Sequence, residues 1–108
     1  MTDEVVQPER AELSLPRVLA ALSDPARLAT VRTLAMLGES ACGRIQHDAG
    51  LDVSKSTMSH HLRILREAGI THTRVDGARR MVTLRRDDLD ARFPGLLDAV
   101  LGAPVEAR

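Results

Sequence analysis

The chain has 108 residues, 44% of them hydrophobic, with one Phe and neither Trp nor Tyr; this length suits one domain with a modest core, and the lack of aromatics argues against a β-sandwich or a stacking-type binder of single strands. Lys+Arg and Asp+Glu both number 15, so the net charge is zero, which on its face speaks against nucleic acid. One cysteine rules out an internal disulfide, the first residues do not read as a signal peptide, and no apolar run reaches the length of a membrane span; a cytoplasmic protein with no membrane partner is expected.

In chain order, residues 1–13 are polar and charged and read as a flexible arm. Ser14 caps a first helix through Leu15, Val18, Leu19 and Leu22, with Pro16 in the first turn, where a missing N–H is tolerated. Ser23-Asp24-Pro25 marks a second start, a capping side chain followed by proline at the first helical position. That helix runs to about Leu37 on a stripe of Leu28, Val31, Leu34, Ala35 and Leu37, and Gly38 ends it. Residues 39–43 form a connector. A brief helix over about residues 43–49 turns Ile45 and Ala49 inward and stops at Gly50. Leu51-Asp52-Val53 is a tight turn, and Ser54 caps the next helix; two helices joined this closely are a helix-turn-helix.

The helix that begins after Ser54 has two chemically different faces. Met58, Leu62 and Leu65, with Ile64 at the edge, recur at helical spacing and form a buried stripe. Lys55, Ser56, Thr57, Ser59, His60 and Arg63 are short or cationic, all can hydrogen-bond, and the one acid, Glu67, lies at the far end. Such donors suit a helix laid in the DNA major groove, where they meet base edges and phosphates. An ordinary amphipathic surface helix is the alternative, but its usual Glu/Lys mixture is missing. His61 is expected to face the body of the domain.

Thr71-His72-Thr73-Arg74-Val75-Asp76 changes the period to that of a strand, Asp76-Gly77 signals a two-residue turn, and Met81-Val82-Thr83-Leu84 forms the return strand. Arg74, Arg79 and Arg80 surround its tip. A basic hairpin directly after a reading helix is a wing whose arginines touch phosphate or the minor groove; covering the core edge is its other reading. Residues 54–86 hold eight bases and two acids, +6, against seven bases and thirteen acids, −6, elsewhere. A neutral chain with one basic face can still bind DNA. Asp87 or Asp88 caps a last helix from Leu89 toward Leu101, interrupted at Pro94-Gly95 and bearing Leu96, Leu97 and Val100. Residues 102–108 read as a tail. The expected fold is mainly α with a small β-hairpin, a winged helix-turn-helix of order α-α-α-α-β-β-α over residues 14–101.

Three segments then carry a likeness: Ala21-Leu22-Ser23-Asp24-Pro25-Ala26-Arg27-Leu28, Ser54-x-Ser56-Thr57-Met58-Ser59-His60-His61-Leu62-x-x-Leu65-x-x-Ala68-Gly69-Ile70, and Asp76-Gly77. Together they resemble the ArsR/SmtB family of bacterial winged-helix repressors. The resemblance implies a homodimer on a palindromic operator, repression by blocking polymerase, and a dimer interface of first and last helices. Leu15, Val18, Leu19 and Leu22 with Leu96, Leu97 and Val100 agree, because they offer more apolar face than a small core needs.

The places where relatives hold metals are depleted. The family's thiolate site needs a cysteine pair, and this chain has Cys42 alone; the site on the last helix uses an Asp-x-His pair with a further histidine, and here the stretch reads Asp88-x-Asp90 and Asp98. No metal site and no cofactor are expected. A non-standard metal-responsive site using Cys42, His47 or His72 is an alternative, as is a redox role for Cys42, which otherwise reads as a small apolar residue at a helix start. A small effector or a partner protein would release the DNA. An enzyme is not expected, as no Ser-His-Asp order or phosphate-binding glycine loop is present. The rival class is a winged-helix protein-interaction module.

Overall fold

A computed structural model describes residues 6–102. A single 3-10 turn at Arg10–Glu12 precedes α1 (Leu15–Leu22), α2 (Pro25–Leu37), β1 (Ser40–Ala41), α3 (Cys42–Ala49), α4 (Lys55–Glu67), β2 (Thr71–Asp76), β3 (Arg79–Leu84), α5 (Arg86–Arg92) and α6 (Leu96–Gly102). The strands form one antiparallel sheet in the order β1-β3-β2, with Thr73 opposite Val82 and Asp76 opposite Arg79. The expected arrangement of helices and hairpin is present, with four differences.

The residues expected as a mere connector contribute β1, which pairs Ser40 with Val82 and Ala41 with Met81. The last helix is two helices: Pro94 lacks an N–H and restricts Phe93, whose φ of −135° and ψ of 73° are not helical, and Gly95 turns back at φ +84°. Its first cap residue is Arg85; Asp87 and Asp88 sit in the first turn, where their charge suits the helix dipole. On α2, Ala35 is exposed, and Thr30 and Thr33 are buried instead. Thr30 tolerates burial because its hydroxyl donates to the Ala26 carbonyl at 2.9 Å.

The fourth difference is the N-terminal arm. Residues 6–13 are docked, not free. The Gln7 amide donates to the Thr73 carbonyl at 2.8 Å and accepts from its N–H at 2.7 Å, so a side chain satisfies part of the open edge of β2. Arg85 donates to the Pro8 carbonyl at 2.8 Å, Arg92 to those of Ala11 and Leu13 at 3.1 and 2.9 Å, and Leu13 is buried. Polar composition suggested solvation, but these groups find backbone partners on folding. Residues 1–5 of the expected arm and 103–108 of the expected tail lie outside the described residues.

Two apolar clusters hold the elements together. One joins Leu13, Val18, Val31, Leu65, Leu89 and Leu97; the other joins Leu34, Ile45, Met58 and Val82. Both α2 and α4 contribute to both clusters, so α4 is anchored at its start by Met58 and at its end by Leu65.

Asp24 fixes the corner between α1 and α2. Its carboxylate accepts from the amides of Ala26 at 2.8 Å and Arg27 at 3.2 Å. Burial works to raise its carboxyl, and the amide bonds from Arg27 and Ala26 outweigh it, so the group sits below the usual carboxylate range. Asp24→Ala is expected to cost about 1 kcal/mol. Because the folded value is depressed, the ionised cap stabilises the fold above the unfolded carboxyl's range and is lost as pH falls through the folded value. The difference between wild type and variant in urea melts should therefore shrink in acid; a constant difference would show that the charge does not contribute.

Candidate nucleic-acid interface

The helix-turn-helix is built by local chemistry. Gly50 ends α3 in the left-handed region at φ 68°, with its N–H on the His47 carbonyl at 3.1 Å and that of Leu51 on Gln46 at 3.2 Å. The Gln46 side chain then donates to the carbonyls of Leu51 at 3.2 Å and Val53 at 2.7 Å, pinning the turn from inside. The Ser54 hydroxyl accepts from the Thr57 amide at 3.1 Å and caps α4, and the Thr57 hydroxyl lies 3.0 Å from it. At the far end the N–H of Gly69 reaches the Arg66 carbonyl and that of Ile70 the Leu65 carbonyl, both at 3.0 Å, a Schellman close in which Leu65 and Ile70 also pack together.

With Met58 and Leu65 fully buried and Leu62, Ile64 and His61 half-buried, the outward surface of α4 consists of Lys55, Ser56, Thr57, Ser59, His60, Arg63 and Glu67. The six reading residues expected from the sequence are thus exposed together. Arg63 donates to Nδ1 of His60 at 3.0 Å. An arginine only donates, so Nδ1 accepts here and the ring's N–H donor is Nε2. His61 turns inward as expected, accepting from Arg27 at 3.2 Å, while Arg27 also donates to the Ala21 carbonyl at 2.7 Å. Arg27 therefore ties the end of α1 to α4, a role that its position after a cap motif did not disclose.

On the wing, Asp76 pairs with Arg79, so the turn residues are Gly77 and Ala78, with φ +63° only at glycine, the sign pattern of a type II′ turn. Arg79 and Arg80 follow this turn at the start of β3, exposed and without an ion pair among the described residues. Arg74 differs from expectation: it is three residues back from the turn, and its guanidinium is engaged by Glu39 at 2.7 and 2.8 Å. Arg85 and Arg86 are likewise tied, to Asp88 at 2.8 Å and Asp98 at 3.0 Å. Among the described residues, the +6 segment thus presents Lys55, Arg63, Arg79 and Arg80 as its exposed cations free of carboxylates, while Arg66, also without a carboxylate, is half-buried with its Nε enclosed.

Among the residues expected at a dimer interface, Val18 and Leu97 are buried inside the protomer, because the small core needs them. Leu15 and Leu19 are 41% and 47% exposed; Leu22 and Leu96 are half-buried against the main cluster, and Val100 is half-buried on α6. Of the carboxylates on the last helices, Asp88 bonds Arg10 at 2.6 Å and Arg85, and Asp98 and Asp90 face Arg86 at 3.0 and 3.7 Å. The Arg10 guanidinium, helped by Arg85, holds the Asp88 carboxyl below its usual range. Cys42 starts α3 half-buried against the second cluster; burial pushes its thiol up, with Lys55 opposing. His47 bonds Asp48 at 3.0 Å.

Residues 22–74 match a family profile described as a helix-turn-helix domain. The chain is 40% identical over 85 residues, covering 78% of its length and 83% of the relative's, to the uncharacterised HTH-type transcriptional regulator YceK of Bacillus subtilis (strain 168). It is 33% identical over 76 residues, covering 70% of both proteins, to the arsenical resistance operon repressor of Staphylococcus xylosus. In structure it is similar, at a TM-score of 0.65 and 29% identity over 85% of this chain and 82% of the other, to the homodimeric winged helix-turn-helix DNA-binding domain of Mb0332 from Mycobacterium bovis, described as a possible ArsR-family transcriptional regulator. With its helix-turn-helix, capped α4 and basic wing, the chain belongs to the ArsR family of winged helix-turn-helix transcriptional regulators.

Proposed function

We propose that the protein is a cytoplasmic homodimeric repressor that binds a palindromic operator and leaves it when an effector biases the two reading helices. The observation that carries this is the outward surface of α4: hydroxyls, a histidine and cations grouped on a helix whose other sides are locked into both apolar clusters. Ser56, Ser59, His60 and Arg63 read base edges, and Lys55, Arg79 and Arg80 hold phosphates. Two copies related by a two-fold axis place their reading helices about 34 Å apart, one turn of DNA. No resident metal enters this reading: Asp88, Asp90 and Asp98 are already paired with arginines, and Cys42 is the chain's one cysteine. The effector is a small molecule or a partner protein.

Titrating promoter DNA at rising salt tests the proposal. Affinity falls by a power of about 0.9 for every phosphate contacted, whereas a protein-interaction module would give no shift or a flat response. The exposed leucines of α1 supply the dimer test. Leu15→Glu/Leu19→Glu is expected to yield a monomer by sedimentation and to weaken operator binding roughly hundredfold or more, because the two half-sites are no longer bound as a linked pair. A variant that stays dimeric would place the interface elsewhere.

A further inference from the structure

The contact between Glu39 and Arg74 spans the sheet. Glu39 stands immediately before β1, Arg74 is on β2, and β3 lies between them, with Arg74 opposite Met81 and Met81 opposite Ala41. The pairing is two-pronged: Nε donates to one carboxylate oxygen at 2.7 Å and Nη2 to the other at 2.8 Å. A guanidinium presents the same fork to a phosphate. Both side chains remain accessible, Arg74 at 48% and Glu39 at 34%. Asp76 is a weaker second neighbour at 3.9 Å.

We propose that Glu39 is an internal stand-in for a DNA phosphate: it occupies the fork of Arg74, so that the wing meets DNA with Arg79 and Arg80 while Arg74 is withheld. The consequence is selectivity. Phosphate contacts are independent of sequence and supply most non-specific affinity, so removing one cation per protomer from that set lowers binding to random DNA and leaves the base contacts of α4 a larger share of the total. The hydrogen bond from Arg74 holds the Glu39 carboxyl below its usual range. The pair is therefore intact at neutral pH and is lost only as pH falls through that lowered value, so it acts as a constant restraint across the neutral range.

This inference rests on the reading that the wing touches DNA, and the experiment separates the two. Binding of the full chain to a random duplex is measured against salt for wild type, Glu39→Ala, Arg74→Ala, the double variant and Arg79→Ala, with circular dichroism checking that each is folded. Glu39→Ala is expected to bind more tightly and to steepen the slope by about 0.9 for each protomer, about 1.8 for a dimer. Arg74→Ala should keep the wild-type slope, with affinity no higher because it uncovers the Glu39 carboxylate, and the double variant should lose the gain. If Arg74→Ala alone flattens the slope, Arg74 already reaches phosphate and the inference is overturned; weaker or unchanged binding by Glu39→Ala overturns it as well. Arg79→Ala should flatten the slope by a similar amount, and a failure there would reject the wing contact itself.

Discussion

Replacing Gly69 with alanine is expected to cost about 2–4 kcal/mol of folding stability, combining a left-handed backbone penalty with overpacking. Gly69 has φ +84° at the close of α4, and a Cβ there would overlap Cδ2 of Leu13 and come within 3.3 Å of Pro8 Cγ. Leu13 has little room to yield, since it is buried in the main cluster with Leu65 and Ile70. The substitution would also disturb the Schellman bonds from Gly69 and Ile70 that end the reading helix. Urea unfolding monitored by far-UV circular dichroism gives the number. A loss below about 1 kcal/mol would mean that residues 6–13 let go of the domain without penalty, and that the docked arm is energetically incidental.

The second large effect concerns the division of labour on the DNA face. Ser56→Ala and His60→Ala are each expected to lower the ratio of operator to random-DNA affinity by about 1–3 kcal/mol for each half-site, the usual worth of a good base contact. His60 is the sharper case, because Arg63 already bonds its Nδ1 and so leaves Nε2 as the one ring nitrogen for a base contact. Arg79→Ala should instead weaken operator and random DNA in parallel. Gel shifts of both duplexes at one salt concentration make the comparison. Equal losses on the two DNAs for the α4 variants would mean that the helix merely touches the backbone and that sequence is read elsewhere.

Residues that act through nearest neighbours in sequence were legible without coordinates. Asp24-Pro25 announced the start of α2, Ser54 that of α4, Gly38 and Gly50 two helix ends, and the Met58–Leu65 spacing the buried side of α4. Residues that act across the chain were not. Gln46 is a plain polar residue on a short helix until its amide meets two turn carbonyls. Gln7 is a polar residue in an acidic arm until it meets the open edge of β2. A run of hydrophilic residues beside a strand edge that needs partners is the only trace such a contact leaves in a sequence.

The same division separates charge from its use. The sequence by itself determined the fold class, the two-faced helix α4, the hairpin and the +6 segment, because caps, periodicity and composition are properties of short stretches. Tertiary structure decided which of those charges are free. It gave Arg74 to Glu39, 35 positions away, and Arg10 to Asp88, 78 positions away, and it drew Val18 and Leu97 from the expected interface into the core. Pairing and burial depend on which residues meet when the chain closes, and that information lies in packing geometry, outside the reach of any local window.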